Sequence, residues 1–185
     1  MAKVYVSLGS NIDRSRNIRF AIKRLQAEYA PILTSSVYES DPVGFQGDRF
    51  FNLVVGFDTH NSPAAVFRML RSIEHQCDRT RGGARFGART LDLDLLLYDA
   101  LVIREQGITL PRQEILTCAF VLAPLAEIAG EHRHPVQRRT FARLWSEFDK
   151  TGQPIWTVSF DPVATQNRPN PETLPIPGET PPDGK

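Results

Sequence analysis

The segment FGARTLDLDLLLYD, residues 86–99, holds Asp92 and Asp94 inside a run with the habits of a β-strand. Carboxylates are disfavoured in strand interiors and costly to bury without a partner. Alternate strand residues share a face, so the two carboxylates project together, rooted about 6–7 Å apart by the strand rise. Leu91, Leu93 and Leu95 take the opposite face and can enter a core. Two carboxylates on one face raise each other's proton affinity unless a cation stands between them. Mg²⁺ suits such a pair, since it is bound through one or two carboxylates together with substrate phosphates. The preceding loop supplies the complement: Arg79, Arg81, Arg85 and Arg89 follow one another with no acid after Asp78. Guanidinium forks match phosphate oxygens, and Gly82, Gly83 and Gly87 would let the loop open and close. An acidic metal face beside such a loop is what phosphoryl or nucleotidyl transfer requires. Taken alone, each half has a plainer explanation, a solvated sheet face paired with arginine and a solvated basic loop. Their adjacency is what points to chemistry. There is no GxxxxGK[ST] motif, so any ATP is bound without a P-loop.

The elements that must position these residues are legible in the periodicity. KVYVSLGSN alternates apolar and polar residues and ends at Gly9-Ser10-Asn11, a strand followed by a turn. Ile18, Ala21, Ile22 and Leu25 fall at helical spacing within 14–28. ILTSSVYES reads as a second strand, DPVGFQGD as a loop and RFFNLVVGFDT as a third strand. A second helix opens with Ser62 as N-cap and Pro63 at its first position, and carries Val66, Met69, Leu70 and Ile73 as its apolar stripe. TLDLDLLLY is the fourth strand. The order strand–helix–strand–strand–helix–strand predicts an α+β, ferredoxin-like βαββαβ core. Beyond residue 100 the pattern predicts a short strand or hairpin near 101–110, helical turns over 112–129 and a helix near 138–148. Residues 1–160 read as one domain, and 161–185, dense in Pro, Asn, Thr and Gly, as a disordered tail.

Composition excludes several classes. The chain has 185 residues, is 41% hydrophobic and carries a formal net charge of +1. That is enough to bury a core without staples, with no global field to draw it to nucleic acid or an anionic membrane. Cys77 and Cys118 make neither a disulfide framework nor a CxxC pair. The N-terminus MAKVYVSLGSN has no long apolar stretch and no run reaches spanning length, so a cytoplasmic protein is expected. His132 and His134 read as surface residues and Cys118 as a small buried hydrophobe.

VYVSLGSN (4–11), FFNLVVGFDT, IEHQCDRTR and FGARTLDLDLLLY together resemble the 6-hydroxymethyl-7,8-dihydropterin pyrophosphokinases of folate biosynthesis. The RTLDLD block is highly specific, and the resemblance covers residues 3–150. It implies a three-layer α-β-α arrangement on a ferredoxin-like core. The implied reaction moves the β,γ-pyrophosphoryl group of ATP to the pterin hydroxymethyl oxygen, leaving AMP, with two Mg²⁺ ions. The implied partners are ATP and 6-hydroxymethyl-7,8-dihydropterin, bound by a monomer, with no nucleic acid and no membrane. By position, the resemblance makes Asp92 and Asp94 the metal ligands and Arg79 and Arg89 the loop arginines that contact the phosphates. Arg81 and Arg85 are further loop candidates, and Glu74 and Leu95 fall on the nucleotide side. Asn52 would read the pterin edge through its amide, and Phe50 and Phe120 would sandwich the ring. Ser40 and Val43 would add polar and backbone contacts.

The sequence departs from that family at several points. Arg112 and Gln113 stand where His and Tyr are usual, Cys118 where an Arg is usual, Phe86 where Trp is common, and Asp41 where Pro is common. Arg112 can still meet a phosphate. Loss of the other arginine removes a charge-assisted contact worth about 1.5–3 kcal/mol, or roughly tenfold to a hundredfold in affinity. These departures leave two alternatives open: a pterin-binding module with weakened ATP use, and a same-fold pyrophosphokinase acting on another pterin alcohol.

Overall fold

The computed structural model describes residues 1–42, 47–79, 91–105 and 107–163, without the side chains of Asp78 and Arg79. The main sheet has six strands: β1 (Ala2–Ser10), β2 (Ile32–Thr34), β3 (Val37–Ser40), β4 (Phe50–Thr59), β5 (Asp92–Tyr98) and β8 (Ile155–Val158). They run in the order β5-β1-β4-β3-β8, and β2 also pairs with β4. Every pairing in this sheet is antiparallel. β6 (Ile103–Glu105) and β7 (Ile108–Leu110) form a separate hairpin. The helices are α1 (Arg14–Tyr29), α2 (Pro63–Arg79), α3 (Glu114–Thr117), α4 (Ala119–Ala129) and α5 (Phe141–Ser146).

Strand alternation divides the core in two. Val4, Val6 and Leu8 of β1 and Leu53, Val55 and Phe57 of β4 point to one face, where Ile18, Ile22 and Leu25 of α1 and Val66, Leu70 and Ile73 of α2 cover them. Tyr5 and Val54 point to the other, where Val121, Leu122 and Leu125 of α4 and Phe141 and Leu144 of α5 pack. Helices therefore cover both faces of one antiparallel sheet. α2 begins as its sequence dictates: Ser62 Oγ accepts the Ala65 N–H at 3.3 Å, and Pro63 occupies a position whose N–H would have no partner.

β5 carries the acidic pair and leaves strict alternation halfway along. Leu93 and Leu95 enter the α1/α2 core, yet Leu96 and Leu97 both join the α4/α5 core. The register explains it. Val6 pairs with Leu95 and Tyr5 with Leu97, so Leu96 is the extra residue of a β-bulge. Its carbonyl accepts the N–H of Arg112 at 3.0 Å.

Three expectations need correction. ILTSSVYES forms two short strands, β2 and β3, with the Ser35 hydroxyl accepting the Val54 N–H at 3.0 Å where the ladder breaks between them. The segment at 155–158 was not expected to be a strand, yet β8 extends the sheet beyond β3. Trp156 anchors it, donating to Glu39 at 2.9 Å with Arg49 stacked on the indole at 4.6 Å. Burial alone would push the Glu39 carboxyl up, but the Trp156 N–H and the Arg14 and Arg49 guanidiniums more than offset this and hold it low. Finally, His134 is not a surface residue. It is 2% exposed, edge-on to Phe141, and its Nδ1 accepts the amides of Val136 and Gln137 at 3.2 and 3.1 Å. Cys77 is buried and Cys118 half-buried. No helix among the described residues is long and apolar enough to cross a membrane. Most of the tail expected to be disordered, 164–185, lies outside the described residues.

Burial holds the His134 imidazole below its ordinary pKa of 6.5, and protonation at Nδ1 would break both amide contacts. The unfolded chain therefore binds the proton more readily, and the histidine's contribution to stability is full above pH 6.5 and lost as pH falls toward the depressed native value. Urea unfolding across this range should show that loss in the wild type and a flatter profile in His134→Gln.

Candidate active site

A cavity of about 650 Å³ opens on the α4 side of the sheet, where β1, β4 and β5 present their polar alternates. Its floor is a row across three strands. Gly9 lies between Asn52 on β4 and Asp92 on β5, and Ser7 pairs with Asp94. Gly9 leaves the floor bare: a Cβ there would stand 3.5 Å from Asn52 Oδ1, an ordinary contact, and would take up space in the cavity. Phe50, Ser40 and Asp41 line the β3/β4 side, and Phe120 and Val121 of α4 the facing wall. Asn52 is buried, and its Nδ2 donates to Ser40 Oγ at 3.0 Å. That bond fixes the amide with its Oδ1 toward Gly9. The cavity thus offers two aromatic rings and an oriented amide at one end and two carboxylates at the other.

The acidic end is held by cations and backbone. Asp94 Oδ1 lies 2.9 Å from Arg112 Nη2 and 3.5 Å from Arg71 Nη2. Arg112 Nη2 is also 3.1 Å from Glu114 Oε1. Arg71 continues to Glu74 at 2.7 Å, and Glu74 Oε1 accepts the Leu93 N–H at 2.7 Å. Glu74 therefore sits at the outer edge of β5, satisfying an edge N–H between the two aspartates. Burial raises its pKa, and the nearby Asp92 adds to the rise, against the lowering effects of the Leu93 amide and Arg71. Two carboxylate groups facing one open space can hold a hard divalent cation through oxygen. Among the described residues no group of three or more His, Cys, Asp or Glu gathers where it could hold a metal ion.

Of the residues expected to form a site, Ser40, Phe50, Asn52, Asp92, Asp94, Arg112 and Phe120 line this one cavity. Glu74 supports it from the strand edge, and the Leu95 side chain lies in the opposite core, 3% exposed. Val43, Arg81, Arg85 and Arg89 lie outside the described residues, as does the side chain of Arg79, the last residue of α2. Reading the sequence alone missed Ser7, Leu8, Gly9, Leu96, Glu114 and Val121 as lining residues. Gly9 carried a usable signal, a glycine inside an alternating strand, which marks a close approach. A wider depression of about 840 Å³ lies by Arg14, Arg16 and Arg49, but Arg14 and Arg49 there are paired with Glu39 and Asp41.

The chain is similar to known proteins of one family. The family model for 7,8-dihydro-6-hydroxymethylpterin-pyrophosphokinase (HPPK) matches residues 5–130. The chain is 36% identical over 156 residues to the 2-amino-4-hydroxy-6-hydroxymethyldihydropteridine pyrophosphokinase of Bacillus subtilis, covering 82% of this chain and 89% of that one. It is 36% identical over 137 residues to the protein of the same name from Pseudomonas aeruginosa, covering 72% and 84%. Among solved structures, wild-type HPPK-DHPS of Plasmodium falciparum with SDX-DHP superposes with a TM-score of 0.63 at 14% identity, over 80% of this chain. This chain spans 43% of that longer one, so the likeness to it is one of fold.

The Glu74–Leu93 contact has a direct test. Glu74→Ala leaves a part-buried N–H without an acceptor and should cost about 1–3 kcal/mol in urea unfolding. Glu74→Gln, which keeps the acceptor, should recover most of that.

Proposed function

The chain belongs to the 7,8-dihydro-6-hydroxymethylpterin-pyrophosphokinase family, and from that premise we propose that it transfers pyrophosphate from ATP to the hydroxymethyl group of 6-hydroxymethyl-7,8-dihydropterin. The products are AMP and the pterin diphosphate. One observation carries the reading: stacking rings, an oriented amide and a carboxylate pair line a single cavity. The pterin ring lies between Phe50 and Phe120, where offset stacking favours a flat bicycle. Asn52, held by Ser40, meets its donor–acceptor edge. The hydroxymethyl oxygen then points along the cavity floor toward Asp92 and Asp94. That oxygen attacks the β-phosphorus, a new O–P bond forms, and the bond from the β-phosphorus to the α,β-bridging oxygen breaks as AMP leaves. The hydroxyl proton passes to solvent.

Asp92 and Asp94 would hold Mg²⁺, two ions as the family resemblance implies. Bound there, the metal supplies charge neutralisation at the phosphates and a Lewis acid beside the hydroxyl. Arg112, Arg79 at the end of α2 and, from the loop, Arg81, Arg85 and Arg89 would grip the phosphates. The protein's share is positioning and electrostatics rather than covalent catalysis. The fold reads as ferredoxin-like within three layers, supported by strands of the βαββαβ unit standing in the order fourth, first, third, second, with helices on both faces. Residues 1–160 form the pyrophosphokinase domain in this reading, and 161–185 a separate tail.

The test is turnover with MgATP and 6-hydroxymethyl-7,8-dihydropterin, separated by chromatography. AMP and pterin diphosphate in equal amounts are expected. ADP would mean transfer of a single phosphoryl group and overturn the reading, and bound pterin with no product would favour a binding module. Asp94→Asn should lower turnover by at least about a hundredfold and leave pterin binding largely intact. Gly9→Val should place its side chain in the cavity floor and weaken pterin binding by at least about tenfold, measured by calorimetry, with little change in the unfolding midpoint.

A further inference from the structure

We propose that Arg112 is a counter-ion latch on Asp94, which a divalent cation must displace and an anionic nucleotide releases. This rests on the reading of Asp92 and Asp94 as the metal pair. Arg112 Nη2 lies 2.9 Å from Asp94 Oδ1, and Arg71 Nη2 is 3.5 Å from the same oxygen. The guanidinium sets a positive charge against that oxygen and takes up part of its lone-pair capacity, so binding of a cation to the nucleotide-free protein competes with an internal ion pair. The side chains of Asp94 and Arg112 are only 21% and 32% exposed, so solvent screens the pair incompletely.

Three features make Arg112 able to leave. Its backbone is fixed, since its N–H donates to the carbonyl of the bulge residue Leu96 at 3.0 Å, and only the side chain need move. Glu114 Oε1 lies 3.1 Å from Nη2, so the guanidinium that gives up Asp94 retains a carboxylate. Its Nε is buried with no hydrogen-bond partner among the described residues, so the latched pose leaves one donor that a phosphate oxygen could take. A polyanion that draws Arg112 away frees Asp94 for the cation, and a cation on Asp94 frees Arg112 for the polyanion. By linkage each raises the affinity of the other.

The measurement is Mn²⁺ binding to nucleotide-free protein, followed by the electron paramagnetic resonance of free Mn²⁺. Arg112→Gln should bind Mn²⁺ about tenfold more tightly than wild type. Arg112→Met, which keeps the apolar reach without the charge, should show the same gain. Asp94→Asn should lose the site. Equal or weaker binding in both Arg112 variants, with Asp94→Asn still deficient, would overturn the latch and leave the metal pair standing. Wild-type binding by Asp94→Asn would overturn the metal pair, and the latch with it.

Discussion

Two carboxylates sit on a strand whose reverse face is among the driest surfaces of the molecule, and much of the surrounding structure compensates for that. Leu93 and Leu95 bind β5 to the α1/α2 core, which fixes Asp92 and Asp94 on the opposite side with no freedom to rotate away. Their charge must then be met locally. Arg112 reaches Asp94 from the segment after β7, and Arg71 reaches it from α2. Glu74 joins Arg71 to the strand's outer edge. The start of α2 matters for the same reason: the Ser62 cap sets where the helix begins, and so which residues lie two and three turns later beside β5.

The fold was legible wherever one element's own periodicity decided its face. The alternation of β1, the apolar stripe of α1 and the Ser62-Pro63 start of α2 all describe local geometry, and all are present. What escaped was set by partners distant in sequence. β8 has four residues and little signal of its own; it is a strand because Glu39 and Arg49 hold Trp156. His134 looks like one polar residue among charged neighbours, and only the return of Phe141 and two backbone amides buries it.

The site divides in the same way. Asp92, Asp94, Asn52 and the two phenylalanines were readable because their types and order match a known pattern. Gly9 was read as part of a turn. Its place between Asn52 and Asp92 depends on the pairing of β1 with two strands at once, which no window of sequence contains. Glu114 went unnoticed because a glutamate opening a short helix is ordinary until Arg112 is seen to lie between it and Asp94.

The bulge at Leu96 separates what the sheet requires from what the site requires. On either side of it the β1–β5 register is regular, with Val6 opposite Leu95 and Tyr5 opposite Leu97. A chain shorter by this one residue could close the same ladder at the loss of one buried leucine. It would also lose the carbonyl that anchors Arg112 beside Asp94. Within three consecutive and chemically identical leucines, the middle position is therefore told apart by insertion and deletion rather than by substitution. Exchange for another apolar residue leaves its backbone carbonyl in place, whereas removal shortens the lineage by a residue whose main use is outside the sheet.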